Sequence, residues 1–344
     1  MRFGLFGAAQ AQRNQGPDVD SAAGFNDYIE YLIEAEALGY HSAFMVEHHF
    51  TGFGQVSATL NLLGWIGAKT STLRLGTAVL VLPWHNPVLL AEQAATIDLL
   101  SGGRLDFGVG KGYRHNEFVG FRIPMEEAEG RFNESIDIIS KSWTSNERFS
   151  FHGKYWQFDD IIVEPPTHQQ PHPPFWQGAG SQGSLRKVAA RGHNLLLDQF
   201  ASMDETTNRF NTYKAAMLAN GNGFDPAQVA VARAFFVTDT QEQKTEALHR
   251  RMTAQRRLHA VSQTPDNNNK ASIMAFSDTF EANEETTLFG DPDHICRKIE
   301  WLQNQGVDYI LLNGGGTSRD NLRRFAKDIM PHFRTESSAR IIAA

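Results

Sequence analysis

The sequence holds one cysteine, Cys296, so no intramolecular disulfide can form and the fold must rest on its core. That usage suits a reducing compartment, and a cytoplasmic location is the expectation. No apolar stretch reaches the length of a bilayer span. The opening run Phe3-Gly4-Leu5-Phe6-Gly7 is too short for the core of a secretion signal, and no cleavage pattern follows it. Lysine and arginine never form a run of nucleic-acid type, and the net charge of −7 opposes a polyanionic partner. There is no internal repeat of solenoid period and no obvious linker. Charged residues are 21% of the chain and apolar residues 41%, so a large core is available and disorder is not expected.

What is present is a rhythm. Residues 2–7 read as a buried strand, and Asp27 to Gly39 as a helix with apolar residues at three-to-four spacing and glycine at its stop. Strand, helix, strand, helix then continues through His41–Val46, Val56–Thr70, Leu73–Leu82, Val88–Ser101 and Arg104–Val109. The second half offers strands at Pro174–Gln177, Asn194–Leu197, Val229–Val237 and Tyr309–Asn313. Its helices are Pro124–Trp143, Gly183–Arg191, Met203–Asn220, Asp291–Gln305 and Ser318–His332. The alternation implies a parallel sheet, and eight strands without a linker favour a closed (β/α)₈ TIM barrel with insertion loops over an open sheet. The expectation is one barrel domain over 1–335 and a C-terminal tail at 336–344. Residues 147–173 break the rhythm as a small hairpin or excursion ending in a proline-rich run. Residues 262–290 are polar and uneven, and form a candidate lid or disordered loop. Phenylalanine is abundant, at 24, which suits a planar aromatic ligand and equally suits a well-filled core.

In a barrel, the loops that follow the strands build the active site. After the second strand comes Glu47-His48-His49-Phe50. Adjacent histidines on an extended chain point to opposite faces, so they make a poor metal pair, and no metal site is expected. His48 is the catalytic candidate; one core and one surface histidine is the plainer alternative. After the third strand, the small residues Thr77 and Ala78 let backbone approach a flat ring, although barrel filling asks for small residues too. After the fourth comes Gly108-Val109-Gly110-Lys111-Gly112-Tyr113-Arg114-His115-Asn116-Glu117. Its glycines lack dinucleotide-fold spacing. Lys111 and Arg114 are each able to meet a phosphate, or to be solvated surface charge. After the fifth, Gly178-Ala179-Gly180-Ser181-Gln182-Gly183-Ser184 opens a helix. Free N–H groups and the helix dipole make such a turn an anion site, beyond the ordinary role of an N-cap.

These motifs, taken in order, resemble the bacterial-luciferase-like flavin monooxygenases. The match runs through Glu47-His48-His49-Phe50-Thr51-x-Phe53-Gly54, Asn61-Leu62-Leu63-Gly64, Leu75-Gly76-Thr77-Ala78 and Val81-Leu82-Pro83-x-His85-x-Pro87. It continues through Asp98-Leu99-Leu100-Ser101-x-Gly103-Arg104-x-x-Phe107-Gly108. It is close over residues 1–145 and looser around Gly180 and at Met330-Pro331-His332-Phe333. The resemblance implies a (β/α)₈ barrel binding reduced flavin mononucleotide (FMN) at the strand C-termini. His48 falls where these enzymes have a histidine important for the oxygenated flavin. Ala78-Val79 falls at a non-prolyl cis peptide under the isoalloxazine. Lys111 replaces an arginine at the phosphate, Gly110 a reactive cysteine, and Ala179 and Gly180 a glutamate and a serine. Backbone amides, Ser181 and Ser184 then carry more of the phosphate. The departures count against light emission and a long-chain aldehyde.

The resemblance implies a two-component monooxygenase. A separate NAD(P)H:flavin reductase supplies FMNH₂, O₂ adds at flavin C4a, and the peroxyflavin oxidises a small organic substrate. His48 is the expected acid or base, because imidazole titrates near neutral pH. His115 and Glu117 are further candidates for proton relay or orientation. Thr77, Ala78, Val79, Lys111, Gly112, Tyr113, Gly178, Ala179, Gly180, Ser181 and Ser184 are the expected flavin contacts. The 262–290 insertion is expected to exclude water. A homodimer packed through early helices is also expected. The alternatives are a deazaflavin-dependent dehydrogenase or reductase of the same fold, and a non-catalytic flavin-binding subunit.

Overall fold

The structure, a computed structural model, describes residues 1–11, 20, 22–269, 271–275 and 277–333. Eight parallel strands close into a barrel: β1 (Arg2–Gly7), β2 (Ser42–Met45), β3 (Arg74–Thr77), β4 (Leu105–Gly110), β5 (Phe175–Gly178), β6 (Asn194–Leu197), β7 (Val229–Val237) and β8 (Tyr309–Asn313). Each pairs with its sequence neighbour. Closure comes from β8, which lays Tyr309–Leu312 against Arg2–Leu5 of β1 and Ile310–Asn313 against Val231–Ala234 of β7.

The helices are α1 (Ala23–Ala37), α2 (Thr59–Gly67), α3 (Pro87–Leu100), α4 (His115–Phe121), α5 (Ala128–Thr144), α6 (Gln182–Ala190), α7 (Met203–Ala219), α8 (Gln241–Ser262), α9 (Phe280–Thr286), α10 (Pro292–Asn304) and α11 (Arg319–Asp328). Local chemistry sets several starts. Asn86 accepts from the amides of Val88 and Leu89 with Pro87 in the first turn, and Asp291 accepts from His294 with Pro292 likewise placed. Apolar residues separate by strand parity. Phe44, Trp176, Leu196, Ala230, Ala232, Tyr309 and Leu311 fill the barrel, with Phe6, Ala78 and Val79 packed against them. Alternate residues such as Leu75, Phe107, Leu195, Val231 and Ile310 meet the helices.

The expected third strand is interrupted. Leu75 and Gly76 pair with Leu105 and Asp106, and pairing resumes only where Leu80 and Val81 meet Val109 and Gly110. Between them the Ala78–Val79 peptide is cis, at the position the family resemblance indicates. The expected excursion is a hairpin of Phe149–His152 and Gln157–Ile161. The last helix stops earlier than its pattern suggests, at Asp328, and a 3₁₀ turn, Met330–Phe333, carries Pro331.

Two corrections concern the late half. The sequence reading passed over α8, whose apolar face is no more than Ala247, Leu248 and Met252 beside buried Lys244 and Gln255. Part of the presumed loop 262–290 is regular: α9 is followed by a strand, Leu288–Gly290, parallel to Phe235–Val237 of β7. The expected tail at 336–344 lies outside the described residues. No helix among the described residues is long and apolar enough to cross a membrane.

Candidate active site

The loop after β2 and the segment after β3 converge on one carboxylate. Glu47 leaves β2 buried, and its Oε1 accepts from His49 Nε2 and His85 Nε2, both at 2.7 Å, and from Trp84 Nε1 at 3.1 Å. Its Oε2 accepts from the amide of Val81 at 2.9 Å. Burial alone would push this carboxyl up; the two imidazoles and the amide overcome that and hold it at about 2. Glu47 therefore ties the loop carrying His48 to the segment after β3.

His48 stands between two groups from the start of α4. Its Nδ1 lies 3.2 Å from Glu117 Oε1, and its Nε2 lies 3.1 Å from Arg114 Nη2. The same Glu117 oxygen accepts from the amide of His49 at 2.9 Å. Desolvation lowers the His48 pKa, assisted by the Arg114 charge and opposed by Glu117 and Glu47. Arg114 is 2% exposed; among the described residues its Nε reaches only Tyr113 Oη, at 3.4 Å, and its Nη1 has no partner. Of the three catalytic candidates, the fold thus brings His48 and Glu117 together. It leaves His115 half-buried and within electrostatic reach of Asp266. Arg114 was read from sequence only as a phosphate or surface cation. The signal that finds it is the i, i+3 spacing to Glu117 across a helix start.

A cavity of about 790 Å³ opens beside His48, between the loop after β2, α1 and α2; Phe25, Ile29, Phe50, Asn61 and Trp65 help to line it. Its size is that of a small-molecule site. The other candidates lie across the mouth. Thr77 is spent on structure, its hydroxyl donating to the Gly108 carbonyl and accepting from the Gly108 amide. Ala78 and Val79 cap the barrel interior, with Gly110 and Gly178 against Val79. A Cβ at Gly110 would sit 2.5 Å from Val79 Cγ2. Gly112 adopts a positive φ of 77°, and a Cβ there would meet Val81 at 2.7 Å.

At the α6 N-terminus, Ser181 and Ser184 form a reciprocal capping box. It satisfies their own amides and leaves those of Gln182 and Gly183 without an acceptor inside the helix. Lys111 instead meets Glu129, at 3.7 Å, and Lys187 binds the other oxygen of that carboxylate. The insertion reaches both loops. Asn269 Nδ2 donates to the Tyr113 carbonyl at 2.7 Å, and Ser272 sits against Gly180, where a Cβ would come within 2.5 Å of its hydroxyl. Ala179 hangs from the Leu196 carbonyl through its amide, at 3.4 Å.

The sequence profile of the luciferase-like monooxygenases matches residues 1–309. The chain belongs to that family. It is a family of flavin-dependent monooxygenases, oxidoreductases on a (β/α)₈ barrel, with F420-dependent relatives. An FMNH₂-dependent dimethylsulfone monooxygenase of Pseudomonas putida is 27% identical over 90% of this chain and 88% of its own. An F420-dependent glucose-6-phosphate dehydrogenase of Amycolatopsis mediterranei is 25% identical over 90% of this chain and 95% of its own. Among solved structures, the monooxygenase RslO1 from Streptomyces bottropensis superposes with a TM-score of 0.83 at 25% identity, covering 97% of this chain and all of that one.

Proposed function

We propose that the protein is the oxygenase component of a two-component system, taking reduced FMN from a separate NAD(P)H:flavin reductase and using O₂ to oxidise a small organic substrate. The observation that carries this reading is the cradle at the mouth. Ala78 and Val79 form a low apolar floor, and the missing side chains of Gly110 and Gly178 let Val79 pack close against the ends of β4 and β5. Such a floor suits a flat ring. Reduced flavin, when bound, supplies the activation of dioxygen. Ala78, Val79 and Gly110 would lie against the ring. Thr77 would act by holding β3 to β4, and Gly112 and Tyr113 by shaping the loop. The turn Gly178-Ala179-Gly180-Ser181 with Ser184 would take the phosphate, and Lys111 would share its charge between that phosphate and Glu129.

The chain's own chemistry is proton handling and exclusion of water. His48, neutral at pH 7 and held by Glu117, is the base at the wall of the cavity. His115 is offered only a surface part in that relay. Asn269 and Ser272 hold the insertion over the loops after β4 and β5, which keeps water from the reacting face. We further place the protein in the cytoplasm, on its single buried thiol, and as a homodimer, on the exposed Trp65 of α2 and Leu89 and Leu100 of α3.

Anaerobic titration tests the reading. Reduced FMN binds with micromolar affinity, reduced deazaflavin at least tenfold more weakly, and Lys111→Ala, at an exposed side chain, weakens binding of FMN several-fold with the fold intact. With a reductase present, oxygen uptake rises on adding the right substrate. Tighter binding of the deazaflavin would make the dehydrogenase reading correct, and binding with no oxygen uptake on any substrate would make the chain a non-catalytic subunit.

A further inference from the structure

We propose that Arg114 is a positioning residue that fixes the tautomer of His48: the ring proton sits on Nδ1, and the Nε2 lone pair is held by the guanidinium. A guanidinium has donors and no acceptor. Its contact with His48 Nε2 at 3.1 Å is therefore a hydrogen bond only if that nitrogen bears its lone pair. The ring proton then sits on Nδ1 and is donated to Glu117 Oε1 at 3.2 Å. Glu117 cannot rotate away freely, because the His49 amide holds the same oxygen. The imidazole is clamped at both nitrogens by residues three apart, the N-cap of α4 and a position in its first turn.

The clamp also sets charge. Arg114 is buried, and among the described residues none of its three nitrogens meets a carboxylate: Nε reaches Tyr113, Nη2 reaches His48, and Nη1 has no partner. Among those residues its charge is met by the Tyr113 ring, 5.7 Å away, and through the His48 ring by Glu117 beyond it. A second proton on His48 would set donor against donor at Nε2 and cation against cation at 3.1 Å. Opposing that are Glu117 on α4 and Glu47 on the β2 loop, the latter already engaged by His49 and His85. With Arg114 seated, His48 is neutral and cannot donate from Nε2. Its role as general base rests on the function proposed above and requires Arg114 to release Nε2; its tautomer rests on neither.

The test is ¹⁵N-histidine labelling of the whole protein without cofactor, read by long-range ¹H–¹⁵N correlation across pH. Wild-type His48 shows the Nδ1–H pattern at pH 7 and titrates below the ordinary histidine range. Arg114→Gln raises the His48 midpoint by about one pH unit, Arg114→Lys leaves it nearly unchanged, and Glu117→Gln lowers it, since removal of a cation and removal of an anion act oppositely. A wild-type spectrum showing Nε2–H or an imidazolium at pH 7 overturns the assignment, even should a variant fail to fold. Midpoints that move the same way in Arg114→Gln and Glu117→Gln overturn it as well. The acid limb of kcat/KM is measured on the same variants. If the spectra behave as stated and that limb does not follow them, the base role of His48 falls while the positioning role of Arg114 stands.

Discussion

A carboxylate sealed from water must be met by donors, and Glu47 shows what that arrangement is worth. Its pKa falls from an ordinary 4.5 to about 2 in the fold. A group so depressed contributes stability that is full above about pH 4.5 and is lost as pH falls towards 2, an amount on the order of 3 kcal/mol. Glu47→Gln removes that dependence. Urea unfolding of the variant at pH 7 should lose about 3 kcal/mol, and its stability should vary less between pH 4.5 and 2.5 than the wild type's. Parallel pH profiles for the two proteins would refute the role. His193, buried and stacked on Phe175 at 4.7 Å, adds a second acid-sensitive group. Desolvation holds it at about 3, so it favours the fold fully above pH 6.5 and progressively less below. His193→Phe should therefore flatten the loss of stability between pH 6.5 and 4, read by the same unfolding curves.

Where strands and loops meet, glycine decides how closely they approach. A Cβ at Gly108 would lie 1.6 Å from the Thr77 carbonyl, and neither backbone can yield without parting β3 from β4. Gly108→Ala should cost roughly 4 kcal/mol or more, seen as a collapsed melting temperature or loss of folded protein. Gly183, in the first turn of α6, has nothing within 4 Å of such an atom. Gly183→Ala should leave stability unchanged or raise it by about 0.5 kcal/mol. If both substitutions behave alike, packing at Gly108 is not what limits the sheet. The insertion is held differently, by a side chain. Asn269 spans the Tyr113 and Ser262 carbonyls at 2.7 and 2.8 Å. Asn269→Ala should change global stability by only about 1 kcal/mol. It should speed hydrogen exchange in residues 263–269 several-fold; unaltered exchange would show that the latch lies elsewhere.

For the molecule as a whole, the surface that calls for a partner is on the early helices. Trp65 is 61% exposed, Leu89 53% and Leu100 81%, while the helix faces turned to the barrel are buried. The proposed homodimer makes a direct prediction: light scattering gives twice the mass of the 344-residue chain, and Trp65→Glu with Leu100→Glu gives the single mass with the circular dichroism of the parent. A monomeric wild type would end that proposal. The barrel itself was legible early, because each strand and most helices carry their own period. β1, β6, β7 and β8 begin and end where the apolar runs do. α8 was not, because its buried face includes Lys244, whose charge is met by Glu284 at 2.6 Å, forty residues on. The residues near the chemistry divide the same way. Sequence alone determined that His48, Glu117, the glycines after β4 and the serine turn after β5 follow barrel strands, since loop order is a local property. It named His115 as a candidate and gave Arg114 only a phosphate or surface role. The direction in which α4 leaves its loop instead places Arg114 and Glu117 on opposite nitrogens of a ring 66 and 69 residues away. Hydrogen bonds of that span exist only once the barrel has closed.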